Sequence, residues 1–329
     1  LKACSIAGRV YGDPSSETDG GKVDQDESLR QAVWNRDAGV LAFLRVLAVC
    51  NSVTTVSESI DGGSKPRVRY EACSPDEDAL VKAAAGCGVG LSRRTADNVE
   101  ISMAGQPFKY RILREMEFNS DRKRMSLVVE EEGSGDLLLL CKGADETLRP
   151  LLAAGQDRLD LETAEHVDEF SRLGLRVLLV CWKRLDRKEY EDWVKNELRV
   201  AMASPEGREQ RIAQAYEKVE CGLTLAGGTG IEDRLQAGVP QTMRSLREAG
   251  MKVWMVTGDK TSTALQIAIS SGMLSSHTAS HNTVVCSLPA QVESCIQQLA
   301  EAAAVRRGDS KTSDSHDEEG GAQLGVLVT

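Results

Sequence analysis

The chain has 329 residues, of which 41% are hydrophobic and 27% charged, as is ordinary for a globular protein, and its length favours two domains over one. Its formal net charge of −10 argues against a nucleic-acid partner, because proteins that bind nucleic acid present a basic face. No apolar run reaches the ~18 residues of a membrane-spanning helix, and nine cysteines without a CxxC pair favour a reducing, cytosolic setting over a disulfide or zinc framework.

Two segments have the composition of solvated loops. Gly12–Asp26 is rich in Gly, Ser and Asp, and Arg306–Gly321 is polar and has no apolar periodicity. Segments of this kind cannot bury enough apolar surface to offset the entropy lost on ordering. Both are therefore predicted to be loops.

The middle of the chain mixes strand and helix patterns. Alternating residues on both sides of a polar tetrad predict a β-hairpin made of Tyr110–Phe118 and Lys123–Glu131. Further strands are predicted at Leu137–Cys141 and Leu175–Trp182. Helices are predicted at Asp78–Cys87, at Leu161–Leu173 with Gly174 as its stop, at Arg187–Met202, and after Ser204 as an N-cap.

After a boundary near Gly222 the pattern changes to alternating strands and helices. The spacing predicts a strand at Leu223–Ala226, a helix at Leu235–Ala249, a strand at Lys252–Val256 and a helix at Thr261–Met273. This order is typical of a parallel β-α-β-α unit.

A polar turn, Thr257-Gly258-Asp259-Lys260, joins the last of these strands to the last helix. In α/β proteins a turn at this place binds phosphate, because the free N–H groups and the positive end of the helix attract anions. Asp233 and Asp259 both follow strand ends. The spacing predicts phosphoryl chemistry without saying which kind.

The string Ser74-Pro75-Asp76-Glu77 has two interpretations. In one it is a capping box, with Ser74 as N-cap, Pro75 as the first helical residue and Glu77 reaching back to the Ser74 amide. In the other, a carboxylate stands at the mouth of a pocket.

Phe118 also has two interpretations. It ends a predicted strand just before the basic residues Arg122, Lys123 and Arg124. It is either an apolar plug beside a solvated turn, or an aromatic face for a purine with cations nearby for phosphates.

Two cations lie near predicted strand ends. Lys142, followed by Gly143, is either a surface lysine in a turn or a lysine placed against a nucleotide, with the glycine permitting close backbone approach. Arg176 follows a candidate C-cap glycine and either lies along the surface or meets a phosphate.

These pieces, in this order, resemble the P-type ATPases, and most closely the type IV branch of phospholipid flippases. The resemblance covers nearly the whole chain. The strings that carry it are KACSIAGRVYGD (Lys2–Asp13), YEACSPDEDALVKAA (Tyr70–Ala84), EFNSDRKRMSLVV (Glu117–Val129), CKGAD (Cys141–Asp145), GLRVL (Gly174–Leu178), GIEDRLQAGVPQTM (Gly230–Met243) and KVWMVTGDK (Lys252–Lys260).

The resemblance implies an α/β architecture in which an α+β nucleotide-binding domain is inserted into a parallel, haloacid-dehalogenase-like phosphorylation domain. Residues 1–22 would link from the phosphorylation domain, 23–221 would form the nucleotide-binding domain, and 222–329 would form an incomplete phosphorylation domain with a disordered loop at about 306–321.

The resemblance also implies ATP and Mg²⁺ as cofactors and assigns roles in the inserted domain. Glu77 would hydrogen-bond the adenine edge and Phe118 would stack on the ring. Lys142 would line the same pocket, and Arg176 would contact the phosphates. Asp78 departs from the pattern, because the family usually has Gly there.

In the phosphorylation domain the resemblance implies that Thr257, Gly258 and Asp259 form the turn next to the transferred phosphoryl group. The family's phosphorylated aspartate, in a DKTGT string, would come before Lys2, and the acidic Mg²⁺ motif would come after Thr329. This chain is therefore expected to be a cytosolic part of a longer protein, and inactive by itself.

The implied function is ATP binding within a phospholipid-translocating ATPase that forms an aspartyl phosphate. The expected location is the cytoplasmic side of an integral membrane protein. Its partners would be ATP, phospholipid through transmembrane segments outside this chain, and an accessory subunit. The alternative is a flippase-like regulatory module that binds nucleotide and is fused to another enzyme.

Overall fold

The structure is a computed structural model that describes residues 1–16, 21–58, 67–72, 74–232, 235–251, 253, 255, 261–274, 283–286 and 325–328. The chain divides into two compact units. The first unit comprises Leu1–Phe170 and Arg176–Glu232, and the second comprises Ser171–Leu175 and Asp233–Thr329.

The first unit is built on one large antiparallel sheet. Among the described residues nine strands form it, in the spatial order β2-β1-β11-β10-β9-β8-β7-β6-β5, and β3 pairs with β4 as a separate hairpin. The strands are β1 (Ala3–Ile6), β2 (Arg9–Gly12), β3 (Thr54–Glu58), β4 (Arg67–Glu71), β5 (Val89–Arg94), β6 (Asn98–Met103), β7 (Gln106–Asn119), β8 (Arg124–Glu131), β9 (Leu137–Gly143), β10 (Arg176–Leu185) and β11 (Thr224–Ile231).

Helices cover both faces of this sheet. In the first unit they are α1 (Glu27–Trp34), α2 (Ala38–Val49), α3 (Pro75–Gly86), α4 (Asp145–Leu148), α5 (Asp157–Arg172, whose last two residues belong to the second unit), α6 (Arg187–Trp193), α7 (Arg199–Ala203) and α8 (Arg208–Val219). A π-helical segment, Val194–Leu198, joins α6 to α7. The helix predicted at Arg187–Met202 is therefore confirmed, with a wider turn in its middle.

Strand β9 lies between two hydrophobic cores. Its first five residues, Leu137–Cys141, form a continuous apolar run, and all seven of its residues are buried. Leu138 and Leu140 belong to the core that contains α2, whereas Leu137 and Leu139 belong to the core that contains side chains of α5, α6 and α8. Alternate residues of a strand point to opposite faces, so an apolar run is what a strand covered on both faces requires.

The hairpin predicted from alternation is confirmed as β7 and β8, and the strands predicted around Leu137 and Leu175 are confirmed as β9 and β10. The helices predicted at Asp78–Cys87 and Leu161–Leu173 are confirmed as α3 and α5. The expected α+β fold for the nucleotide-binding region is confirmed by this sheet and its helices.

The strand predicted at Leu223–Ala226 is β11, but its expected parallel pairing is wrong. It lies between β1 and β10 and is antiparallel to both. The parallel pairing was inferred from the alternation of strands and helices that follow β11. The strands that actually pair with β11 come earlier in the chain. The sheet thus extends to Ile231 and includes β1 and β2 near the start of the chain. The assignment of functional domains stays a prediction.

Two local predictions are corrected. Within Gly12–Asp26, Val23 is fully buried and Asp26 caps α1, with its carboxylate accepting hydrogen bonds from the Gly12 and Leu29 amides. The aspartate is a cap, not part of a loop open to solvent. Ser204 does not begin a helix; it ends α7 by donating to the Val200 carbonyl, and α8 starts after Gly207.

The second unit contains α9 (Val239–Glu248) and α10 (Thr261–Ser270), which confirm the two helices predicted there. Gly250 follows α9 with a φ of 78°, a left-handed value that glycine adopts without strain. Strands β12 (Thr283–Cys286) and β13 (Gly325–Val328) pair in parallel. The predicted loop Arg306–Gly321 lies outside the described residues.

Candidate functional site

A cavity of about 490 Å³ opens in the first unit where the start of α3 meets the ends of β7 and β9. Three of the four sequence-predicted residues of the nucleotide-binding region line it. The full lining is Ser52, Ser74, Asp76, Glu77, Leu80, Glu115, Glu117, Phe118, Met125, Lys142, Gly143 and Leu178.

Glu77 lies at the base of the cavity, in the first turn of α3. Pro75 is the first helical residue and Ser74 is the N-cap, as predicted, but no side-chain cap bond forms. Glu77 instead accepts hydrogen bonds from the amide and hydroxyl of Ser52, and from Lys142. The capping-box interpretation is therefore wrong, because a buried lysine and a serine from distant segments hold the carboxylate.

The charge of Glu77 is stabilised inside the protein. Burial by itself would raise the pKa of this carboxyl group, but the nearby Lys142 ammonium and the hydrogen bonds from Ser52 outweigh burial and lower the pKa from its ordinary value of 4.5. The carboxylate is thus ionised at neutral pH, and its negative charge is balanced by Lys142.

Lys142 is presented by β9 and is buried. It lies opposite Met125 of β8 and Val180 of β10, so the sheet fixes its position on both sides. Its ammonium nitrogen is 2.8 Å from Glu77 Oε1. It is therefore not a surface lysine.

Gly143 permits a close approach of two strands. A Cβ atom at this position would lie 2.5 Å from Arg124 Cβ and 2.6 Å from the Lys123 carbonyl oxygen, which is closer than atoms can approach. The glycine was expected to permit the close approach of a nucleotide. The structure explains the glycine through the pairing of β8 with β9.

Phe118 projects from β7 at the rim of the cavity and is 64% exposed. The interpretation of this ring as a core plug is therefore wrong. An exposed aromatic ring at the mouth of a cavity offers a face on which a planar ligand can stack.

Arg176 lies near the cavity but does not line it. Its guanidinium is 3.5 Å from Asp76 Oδ2, and both side chains are partly exposed. Asp76 lines the cavity, so the arginine contacts its edge through this acid. Thr257, Gly258 and Asp259 lie outside the described residues.

Two features of the site were missed from the sequence. Glu115 lines the cavity and accepts hydrogen bonds at both oxygens, 3.1 Å each, from Arg94. Arg122 and Arg124, predicted either as part of a solvated turn or as cations for phosphates, are buried against Glu220. No local pattern pairs Glu220 with a turn almost one hundred residues upstream.

The described part of the chain contains no group of three or more His, Cys, Asp and Glu side chains arranged to hold a metal ion. Every helix within the described ranges is too short or too polar to cross a lipid bilayer.

Comparison with known proteins identifies the region that carries the cavity. Residues 39–238 match the family model described as "P-type ATPase, cytoplasmic domain N". The chain is 39% identical over 275 residues to Phospholipid-transporting ATPase 2 of Arabidopsis thaliana, a match that covers 84% of this chain and 24% of the relative.

Two further relatives are similar. Phospholipid-transporting ATPase ID of Mus musculus is 39% identical over 249 residues, with 76% of this chain and 20% of the relative covered. Phospholipid-transporting ATPase DNF1 of Chaetomium thermophilum is 37% identical over 260 residues, with 79% and 16% covered. The chain thus spans a quarter or less of the length of these relatives.

Proposed function

The chain belongs to the P-type ATPase family, and from this membership and the cavity geometry we propose that its first unit binds ATP as part of a phospholipid-translocating ATPase. P-type ATPases use ATP, with Mg²⁺ as the usual metal. The observation that carries the proposal is the exposed ring of Phe118 at the rim of a cavity whose base holds the ionised Glu77.

The cavity suits the adenine base. Its volume of about 490 Å³ falls within the roughly 300–1,000 Å³ of small-molecule sites. Phe118 would stack on the base, and the Glu77 carboxylate, which can accept further hydrogen bonds, would receive the adenine amino group. Lys142 would hold that carboxylate in place and line the same pocket.

The charges of the cavity indicate how the nucleotide would lie. Asp76, Glu77, Glu115 and Glu117 line the cavity, whereas Lys142 is already paired with Glu77. Glu77, Glu115 and Asp76 are paired with Lys142, Arg94 and Arg176, so the lysine that lines the cavity is not available to a phosphate. The neutral base would therefore enter and the phosphates would remain outside. Arg176 at the edge would exchange its contact with Asp76 for a phosphate oxygen, since a guanidinium binds phosphate well.

The second unit would take part in phosphoryl transfer. Thr257, Gly258 and Asp259 would form the turn next to the transferred phosphoryl group, and an aspartate elsewhere in the longer protein would accept it. Mg²⁺ would supply positive charge at the phosphates. The remaining chemistry of this chain is to bind and orient the nucleotide.

Transport of phospholipid is proposed for the longer protein, with the chain on the cytoplasmic side of the membrane and an accessory subunit as a further partner. The relatives described above are all named as phospholipid-transporting ATPases, and this supports the function. They favour it over a regulatory nucleotide-binding module fused to another enzyme.

An NMR titration of the chain with ATP tests nucleotide binding. We expect saturable shifts at Phe118, Met125 and Lys142, with a dissociation constant on the order of 0.1–1 mM, or about 4–5.5 kcal/mol. Saturating ATP that leaves these three residues unshifted would overturn the proposed site.

Phosphoryl transfer is tested in the full-length protein by acid-stable incorporation of ³²P from labelled ATP. We expect Asp259→Asn to reduce this incorporation sharply and added phospholipid to stimulate ATP turnover. The chain by itself should incorporate none. A full-length protein indifferent to both Asp259→Asn and phospholipid would contradict the transporter function.

A further inference from the structure

A buried ion cluster lies directly behind the turn that follows Phe118. At its centre is Glu220, which is 0% exposed and follows the last residue of α8. Its carboxylate accepts hydrogen bonds from Arg122, from the Arg124 Nε at 2.8 Å and from the Ser126 hydroxyl. The two arginines are only 8% and 5% exposed, so the whole cluster is removed from water.

One guanidinium of this cluster reaches the backbone next to Phe118. Arg122 donates to the Glu117 carbonyl at 3.2 Å, while its other terminal nitrogen is bonded to Glu220. Its guanidinium also lies over the ring of Tyr216, 5.2 Å from the centroid. Arg122 thus links the end of α8 to the residue that precedes the exposed ring.

The backbone at Phe118 needs this link because regular pairing stops there. Met116 pairs with Ser126 and Asn119 pairs with Arg124, so Glu117 and Phe118 together oppose the single residue Met125. This is a β-bulge, which interrupts the ladder and redirects a side chain. The bond from Arg122 to the Glu117 carbonyl holds the bulge where the hydrogen bonds of the sheet are disrupted.

Stability alone does not account for the cluster. A buried charge network gains little over well-packed apolar side chains of the same volume, because the charges must leave water. Phe118, in contrast, is mostly exposed and therefore has few contacts of its own to orient its ring. Its orientation is set largely by the backbone that Arg122 holds.

We propose that Arg122, anchored by Glu220, is a positioning residue for nucleotide binding: it fixes the bulge so that the Phe118 ring faces the base in the cavity. The inference rests on the proposed function, which it extends to a residue that does not line the cavity. Arg122 acts only through Phe118 and does not contact the nucleotide.

The test is a double-mutant cycle in the chain, read as the ATP dissociation constant from the Met125 methyl shift. We expect Arg122→Lys, which keeps a positive charge for Glu220 but cannot reach both partners, to weaken binding about three- to tenfold, the range expected for loss of one aromatic stack. Phe118→Ala should weaken it by the same factor. The double variant should bind no more weakly than Phe118→Ala alone.

A matched control is Arg111→Lys, on β7, the strand that carries Phe118; Arg111 is exposed and pairs with Glu130. It should bind ATP as the wild type does. A second readout needs no ligand: ¹³C relaxation of the Phe118 ring should show more motion in Arg122→Lys than in the wild type.

The outcomes separate the two proposals. A wild-type chain without ATP-dependent shifts would overturn the proposed function, and this inference with it. Wild-type binding together with unchanged affinity in Arg122→Lys would overturn this inference alone. Losses that multiply in the double variant would also overturn it, because they would show that Arg122 acts independently of Phe118.

Discussion

The Lys142 ammonium lies 2.8 Å from Glu77 Oε1, joining residues 65 positions apart at the base of the cavity. Each side chain would be costly to bury without the other, since an unpaired charge loses its hydration and gains no partner. The pair therefore fixes the start of α3 against the end of β9. It also leaves a carboxylate, rather than a free cation, facing the cavity.

The first prediction concerns acid. Because the pKa of Glu77 is lowered below 4.5 in the folded chain, the carboxylate contributes stability that is present above pH 4.5 and is lost as the pH falls through the folded pKa. We expect Glu77→Gln to lower the free energy of unfolding at pH 7, and the difference from the wild type to shrink below pH 4.5.

Urea unfolding at a series of pH values measures this difference. For Lys142→Met, the difference in free energy of unfolding from the wild type should also shrink as the pH falls, because either substitution removes the ion pair. A gap between the wild type and Glu77→Gln that stays constant from pH 7 to pH 3 would mean that the ion pair does not stabilise the charged form.

The second prediction separates binding from packing at Phe118. Since the ring is 64% exposed, Phe118→Ala should change the free energy of unfolding by about 0.5 kcal/mol or less, the usual range for surface positions. It should weaken ATP binding by about 0.5–1.5 kcal/mol if the ring stacks on the base. Thermal melting and ATP titration on the same samples give both values.

Phe43→Ala is the matched control, because Phe43 is fully buried in the core beside α2. It should destabilise the chain by about 3–5 kcal/mol. A fall in melting temperature for Phe118→Ala as large as for Phe43→Ala, with unchanged ATP affinity, would contradict the proposed role.

Local patterns predicted the elements well but could not predict their long-range partners. Alternation was enough for β7 and β8, because a period of two and a polar turn are properties of neighbouring residues. The antiparallel position of β11 between β1 and β10 was missed, since it depends on contacts with the first residues of the chain.

At the site, too, the residues could be predicted but their long-range partners could not. The resemblance brought Glu77, Phe118 and Lys142 into one site, and the structure places all three around one cavity. The partners that hold them were not predicted. Sequence spacing predicted that Glu77 would bond to nearby Ser74, but the ammonium of Lys142 is a stronger partner. Glu220, likewise, bonds to Arg122, which lies 98 positions earlier in the chain.

The third prediction concerns Gly143. An alanine here would force Cβ against the backbone of Lys123, so β8 and β9 would have to separate. We expect Gly143→Ala to destabilise the chain by about 1–3 kcal/mol, the usual cost of overpacking. It should also weaken ATP binding, because Lys142 precedes this position.

Gly39→Ala is the control for this change. Gly39 lies in α2, and its added Cβ would meet nothing closer than 3.4 Å. Alanine is the better helix former, so this variant should be at least as stable as the wild type. Equal urea midpoints for Gly143→Ala and the wild type would show that the strands tolerate the extra carbon.

The last prediction concerns thiol reactivity. Cys221 is exposed, whereas Cys50 and four other cysteines, Cys4, Cys87, Cys141 and Cys181, are buried. Burial raises the pKa of Cys50 to about 12, and its thiol donates to the carbonyl of Leu140. At pH 8 only about one Cys50 thiol in ten thousand would be ionised, and the thiolate is the reactive form. Iodoacetamide should therefore label Cys221 within minutes and leave Cys50 unlabelled until urea unfolds the chain. Peptide mass spectrometry measures the labelling of each cysteine. Rapid labelling of Cys50 in the native protein would mean that the core beside the cavity opens readily.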